Sequence, residues 1–167
     1  MFDINEVKVN IAEAAEGFRA NSDLQNQFPK EFFIVSLLNG ALEFDTATER
    51  LVGTWQLIEE SNLTTAGVLR LMDYELDNIA LAITELEKLQ APHGFKKLHR
   101  DFCGSTTRTI NAFKSLQLSA GSLIMGSDTE KAAEKMEEIF QEIRSSLSEF
   151  VPLLSAIIRK TYSVQLK

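Results

Sequence analysis

The side chains of this chain best suited to chemistry are two histidines, one cysteine and a band of threonines, and their spacing limits what they can do. His93 and His99 lie six positions apart, so on a helix they project from different faces. Neither belongs to a His-x-x-x-His or Glu-x-x-His pair, which a zinc or di-iron centre uses to bring several donors to one point. No metal and no cofactor is expected. His99 follows the seam residue Leu98 and reads as a side chain that bonds a neighbouring helix end; His93, beside Pro92, reads as solvated. Cys103 would act as a nucleophile only if Lys97 or Arg100 lowered its pKa. Without a histidine and a carboxylate spaced to serve it, it reads as a small core residue. Neither a Ser–His–Asp order nor a glycine-rich phosphate loop ending in Gly-Lys-Ser/Thr is present. The expectation is therefore a protein that is not an enzyme; a reaction, if any, would have to be sought at Asp73, Tyr74 and His99.

Thr48, Thr106 and Thr109 interrupt seams that are otherwise apolar. Counting from the turns aligns Thr106 with Leu76, Thr48 and Leu147, with Asp45, Asp73 and Tyr74 about a turn away. This level has two readings. Thr48, Tyr74, Thr106 and Thr109 could line a pocket for a small molecule inside the bundle. Alternatively, each threonine bonds back to a carbonyl one turn earlier and no pocket exists.

The elements that must position these residues announce themselves by a 3-4-3-4 apolar rhythm. It runs through Leu69, Met72, Leu76, Ile79, Ile83 and Leu86, and again from Met136 through Phe140, Ile143, Leu147, Phe150 and Leu154 to Ile157. A third seam runs from Leu37 to Ile58 through Phe44, Leu51 and Trp55, and a fourth from Phe95 to Leu123 through Phe102, Phe113 and Leu116. A period near 3.5 places such residues on one helical stripe that must be buried against other helices. A weaker version, Ile4, Val7, Ile11, Ala14 and Phe18, marks a short N-terminal helix.

Boundaries follow from turn and cap chemistry. Asn21-Ser22-Asp23 breaks the first helix, and Ser22 with Gln25 can open another turn as a capping box. A long helix is expected over 27–61, with Asn26 as cap, Pro29 in the first turn and a bend at Asn39-Gly40. The next runs over 64–90. Pro92 then ends it and opens a third over 92–125 as its first residue. Gly126 stops that helix, and the capping box Ser127-Asp128-Thr129-Glu130 opens the last, over 128–160, with a kink or restart at Pro152. Connections this short make successive helices antiparallel neighbours. The expected fold is all-α: an antiparallel up-down-up-down four-helix bundle over 27–163, with an accessory helix in 1–21 packed outside, the whole of 1–167 being one domain.

Bulk properties exclude some partners. The formal net charge of −7 repels phosphate backbones and anionic lipid surfaces, so neither nucleic acid nor membrane is expected as partner. No run approaches the roughly 18 uncharged apolar residues of a spanning helix. The first residues lack the basic and apolar regions of a secretory signal, and a lone cysteine suits a reducing compartment, so the cytoplasm is expected. Lys96, Lys97 and Arg100 form a small basic group at one bundle end, and Lys114 is expected to approach Glu138 or Glu142 on the acidic last helix.

One feature exceeds what a bundle needs. Phe32, Phe33, Ile34 and Val35, continuing into Leu37 and Leu38, are apolar around most of the helix. Either the N-terminal helix covers the surplus, or the surplus is an interaction surface. The leading expectation is a non-enzymatic helical bundle that acts by protein–protein contact through this run, with a second copy or another protein as partner. The alternative is a small-molecule sensor or carrier built on the threonine level.

Overall fold

The computed structural model of the chain describes residues 4–60, 65–124 and 129–165, and 93 % of these are helical. Among the described residues there are six helices and no strand: α1 (Ile4–Ala20), α2 (Ser22–Gln27), α3 (Pro29–Glu60), α4 (Thr65–Glu87), α5 (Lys96–Ile124) and α6 (Thr129–Gln165). The expected turn at Ser61–Thr64, the stop at Gly126 and the first half of the Ser127–Glu130 capping box lie outside the described residues.

The first break falls where turn chemistry put it, with the cap one residue earlier. Asn21 adopts an extended conformation (φ −137, ψ 98), and its Oδ1 accepts from the amides of Asp23 and Leu24 at 3.0 and 3.3 Å. Two helix-end donors with no intrahelical partner are thereby satisfied. Ser22 is already inside α2, as is Asn26, so neither is a cap. Pro29 opens α3, where its missing N–H costs nothing.

The bend expected at Gly40 is replaced by a close approach. α3 runs unbroken through Asn39-Gly40, and a Cβ on Gly40 would stand 2.2 Å from Cδ1 of Leu86 on α4. Glycine serves here to seat a neighbouring leucine.

The connection between α4 and α5 is longer than expected. α4 ends at Glu87, with Lys88 and Leu89 donating to Glu85 and Leu86 carbonyls in tightened turns. Pro92 begins a turn, its carbonyl accepting from Phe95 at 2.8 Å, and α5 starts only at Lys96. His99 Nε2 donates to the Leu86 carbonyl at 2.8 Å, closing the end of α4 as its place in the sequence suggested, with its ring edge-on to Phe33 at 5.3 Å. His93 is exposed. The added residues slide the register of α5 along α4. Against α4, where the count set Thr106 beside Leu76, Lys114 reaches Asp77 at 3.8 Å and Gln117 Nε2 donates to Asp73 at 2.5 Å. Lys114 therefore pairs with α4, not with Glu138 or Glu142; it is Arg108 that reaches α6, at Glu149.

The restart weighed for Pro152 does not occur, and α6 continues through it. Large rings join α6 to α3: Phe44 meets Phe150 at 4.8 Å and Trp55 meets Phe140 at 5.4 Å. α1 and α2 pack on α3. The core holds the expected seams, with Leu37, Phe44, Leu51, Met72, Leu76, Phe102, Leu116, Phe150 and Ile157 essentially sealed from water. Each contributes about 1.5–3 kcal/mol of apolar burial.

Candidate functional site

The threonine level does not assemble into a pocket. Thr48, Thr106 and Thr109 are buried, and each hydroxyl bonds within its own helix: Thr48 to the Phe44 and Asp45 carbonyls, Thr106 to those of Phe102 and Cys103, Thr109 to that of Ser105. With its proton spent on a carbonyl of its own helix, none of these hydroxyls is left to donate to a ligand. Thr48 borders a shallow cleft of about 360 Å³ between α3 and α6, which Thr106 and Thr109 do not line. Tyr74 is on the outside of α4 and 69 % exposed. The counted level holds across α3, α5 and α6, since Phe44 and Phe102, one turn before Thr48 and Thr106, both meet Phe150, and Thr48 and Leu147 line one cleft; the threonines line no common pocket because their hydroxyls turn back into their own helices.

The apolar run on α3 is not a free surface either. Phe33 and Ile34 are buried, and Phe32 and Val35 are half-buried. Phe33 points inward, against Phe95 and His99, while Phe18 of α1 meets Phe32 at 5.7 Å with the rings tilted by 49°. Among the described residues, α1 buries Ala15 and half-buries Val7, Lys8, Ile11 and Phe18. The surplus is covered from within the chain.

Exposed apolar side chains occur singly on several helices, Leu118 and Val151 among them, and line up on α4. Its inward stripe of Met72, Leu76, Ile79, Ile83 and Leu86 is sealed in the core. Nearly opposite, Leu71, Tyr74, Asn78 and Leu81 follow one another at intervals of 3, 4 and 3 residues. Leu71, Tyr74 and Leu81 are 58, 69 and 64 % exposed. Intervals of this kind line one face of a helix, so the four side chains form a second stripe, apolar except for one carboxamide.

Ion pairs fix α4 on both flanks of this stripe. Glu75 meets Arg50 of α3 at 3.6 Å, and Asp77 meets Lys114 of α5 at 3.8 Å. Asp73 and the Leu69 carbonyl both accept from Gln117 Nε2. All are exposed or half-exposed, so each adds little stability, about 0–1 kcal/mol. Their consequence is local: the acids beside the stripe already have cationic or amide partners.

Beside the stripe runs a groove of about 460 Å³ lined by α1, α3 and α4. Lys8, Glu43, Arg50, Glu75 and Asn78 provide its polar groups, and Ala12, Leu42, Ala47, Ile79 and Ala82 its apolar ones. Tyr74 belongs both to the groove and to the stripe, which joins them into one face. Asn39, also in the groove, is held by a bond from its Nδ2 to Glu43 at 2.7 Å.

Cys103 takes no part. Burial, helped by the charge of Glu87, pushes its thiol up to about 11, the reverse of what Lys97 or Arg100 would do to an active thiol. Among the described residues no group of three or more His, Cys, Asp or Glu side chains is placed to hold a metal ion, and no helix is long and apolar enough to cross a membrane. In the basic group, Arg100 pairs with its neighbour Asp101 at 3.5 Å. Ser105 Oγ is buried without a hydrogen-bond partner.

The sequence does not single out Leu71, Asn78 or Leu81, and it places Tyr74 near the bundle interior, whereas the ring is 69 % exposed. The signal was present: α4 carries two interleaved apolar stripes, and only the denser one was read. No family model, curated protein or solved structure matches the chain.

Proposed function

We propose that this protein is a non-enzymatic helical bundle that acts by docking a protein partner on the outward face of α4. In this reading α3 to α6 form an up-down-up-down bundle, with α1 and α2 laid against α3 on the outside. The antiparallel sense is supported by contacts whose partners run in opposite directions: Arg50 with Glu75 and Gly40 beside Leu86, Asp73 with Gln117 and Leu86 with His99, Phe44 with Phe150 and Trp55 with Phe140. The observation that carries the function is the stripe itself, three large exposed side chains in register on one helix, bordered by a groove. Isolated exposed leucines are ordinary on soluble surfaces; an aligned set with a groove alongside is the geometry that receives a helix. The single cysteine, kept as an unreactive thiol, suits a cytoplasmic setting.

Site-specific photo-crosslinking in the cells that make the protein tests this. A photoreactive residue in place of Leu81 is expected to give a discrete adduct that disappears when Leu71→Glu is added. The same group in place of Ile158, a partly exposed apolar position on α6, is expected to give none. No adduct from position 81, or equal labelling from both positions, would remove the proposal.

The groove favours a second reading, a carrier for a small amphiphilic molecule. Its volume falls within the roughly 300–1,000 Å³ of ligand pockets, and Lys8, Arg50, Glu43 and Glu75 offer both charges over an apolar lining. A rise in melting temperature with zwitterionic amphiphiles, abolished by Arg50→Ala, is the expected result; unchanged melting across the set would count against it.

A further inference from the structure

The stripe on α4 has a property that bears on which partner it takes. Its intervals of 3, 4 and 3 read the same from either end, and so, nearly, do its residues. Laid antiparallel on a copy of itself about the level of Leu76, it brings Leu71 opposite Leu81 and Tyr74 opposite Asn78. Both contacts recur on the far side of the two-fold axis. The first closes an apolar pair. The second sets a phenol hydroxyl against a carboxamide, each able to donate and to accept. A surface that fits its own two-fold image is what an isologous dimer requires.

Charge favours the same arrangement. Arg70 borders the stripe near its N-terminal end and Glu85 near its C-terminal end. Antiparallel pairing brings each Arg70 toward the other copy's Glu85, whose carboxylate already meets Lys88 of its own chain at 2.6 Å and would be shared between the two, and it opposes the helix dipoles; parallel pairing would set arginine on arginine. The acids closest to the axis, Glu75 and Asp77, meet Arg50 and Lys114 of their own chain, which lowers the cost of bringing two copies together.

Resting on the docking reading above, we infer that the partner is a second copy of this chain, held by antiparallel pairing of α4 with α4 through Leu71–Leu81 and Tyr74–Asn78 contacts. Two heptads of one helix supply less than the ~800 Å² per partner of a standard interface. The dimer is therefore a weak one that separates on dilution.

Disulfide trapping tests the inference on the full chain. In a Cys103→Ala background, Leu71→Cys and Leu81→Cys are prepared separately, then mixed and oxidised mildly. Circular dichroism confirms that each is folded, as expected for substitutions at exposed positions. The mixture is expected to yield a covalent dimer at least ~10-fold faster than either variant alone, and Leu71→Glu, added to the Leu81→Cys partner, to abolish the gain. Faster linkage of Leu71→Cys to itself would mean parallel pairing and would overturn the inference. So would equal rates in all mixtures. The two readings separate at the photo-crosslink from position 81: an adduct with the mass of two chains supports both, an adduct of another mass keeps docking and removes the second copy, and no adduct removes both.

Discussion

α4 presents two faces built by the same rule and put to opposite uses. Inward, Met72, Leu76, Ile79, Ile83 and Leu86 repeat at helical spacing and are sealed. Outward, Leu71, Tyr74 and Leu81 repeat at the same spacing and are open, with Asn78 set among them. The inner face is continuous because each of its members must replace water with carbon. The outer face is interrupted by the carboxamide of Asn78 and stays open to water. Apolar periodicity alone thus identifies a helix that packs; which stripe packs inside the chain is decided by the neighbouring helices.

The largest expected effect separates the two faces. Leu76→Ala should lower unfolding free energy by about 3 kcal/mol in a urea titration, the cost of lost burial plus a cavity. A loss below about 1 kcal/mol would mean that the inner face is not tightly packed. Gly40→Val should follow, at about 2 kcal/mol, because its side chain would occupy the space of Leu86. Gly104, beside which nothing stands within 4 Å, offers the control: Gly104→Ala should be neutral or stabilising by up to about 1 kcal/mol.

The alkaline limb of stability probes burial at the end of α4, where Glu87 acts on Cys103. Below about pH 8 the thiol is protonated in both the folded and the unfolded chain. As pH passes through 9 the unfolded chain ionises first, since the folded thiol holds its proton to about 11, and stability falls as pH rises. Between pH 8 and 11 the wild-type chain should lose on the order of 2 kcal/mol more than Cys103→Ala. Parallel curves would show that the thiol is not desolvated. Ser105→Ala should raise stability by about 1 kcal/mol, because it removes a buried hydroxyl that has no partner. The smallest effect belongs to the outer face: Leu81→Ala should leave the dilute monomer within about 0.5 kcal/mol of wild type.

How far the sequence could be read depended on the range of the forces involved. Local chemistry was legible. The Asn21 break, Pro29 at the head of α3 and the inward seams follow from caps, ring geometry and periodicity within a few residues. His99 was legible because a histidine one turn into a helix lies within reach of the preceding helix end. Relations between helices were less so. The turn from Lys88 to Phe95 looked tighter than it is, since Pro92 satisfies the rules for a turn as well as those for a helix start. That error misplaced the start of α5, while Thr48 and Thr106 still share the level of Phe150; what removes the counted pocket is that each threonine hydroxyl bonds back to its own helix. Gly40 was ambiguous for the same reason: a bend and a close approach call for the same residue, and only Leu86 on another helix decides. The run from Phe32 to Val35 was rightly seen as too apolar for one stripe, but the chain supplies its own cover in α1 and Phe95.

The most direct test of the outer face is the solution mass of the wild-type chain and of Leu81→Glu, followed by light scattering over a dilution series. The account predicts that the wild type moves from a dimer towards the 18.7 kDa chain as it is diluted, while Leu81→Glu, equally folded, stays at the single-chain mass throughout. A wild type of single-chain mass at every concentration, or a dimer that Leu81→Glu leaves intact, would contradict it.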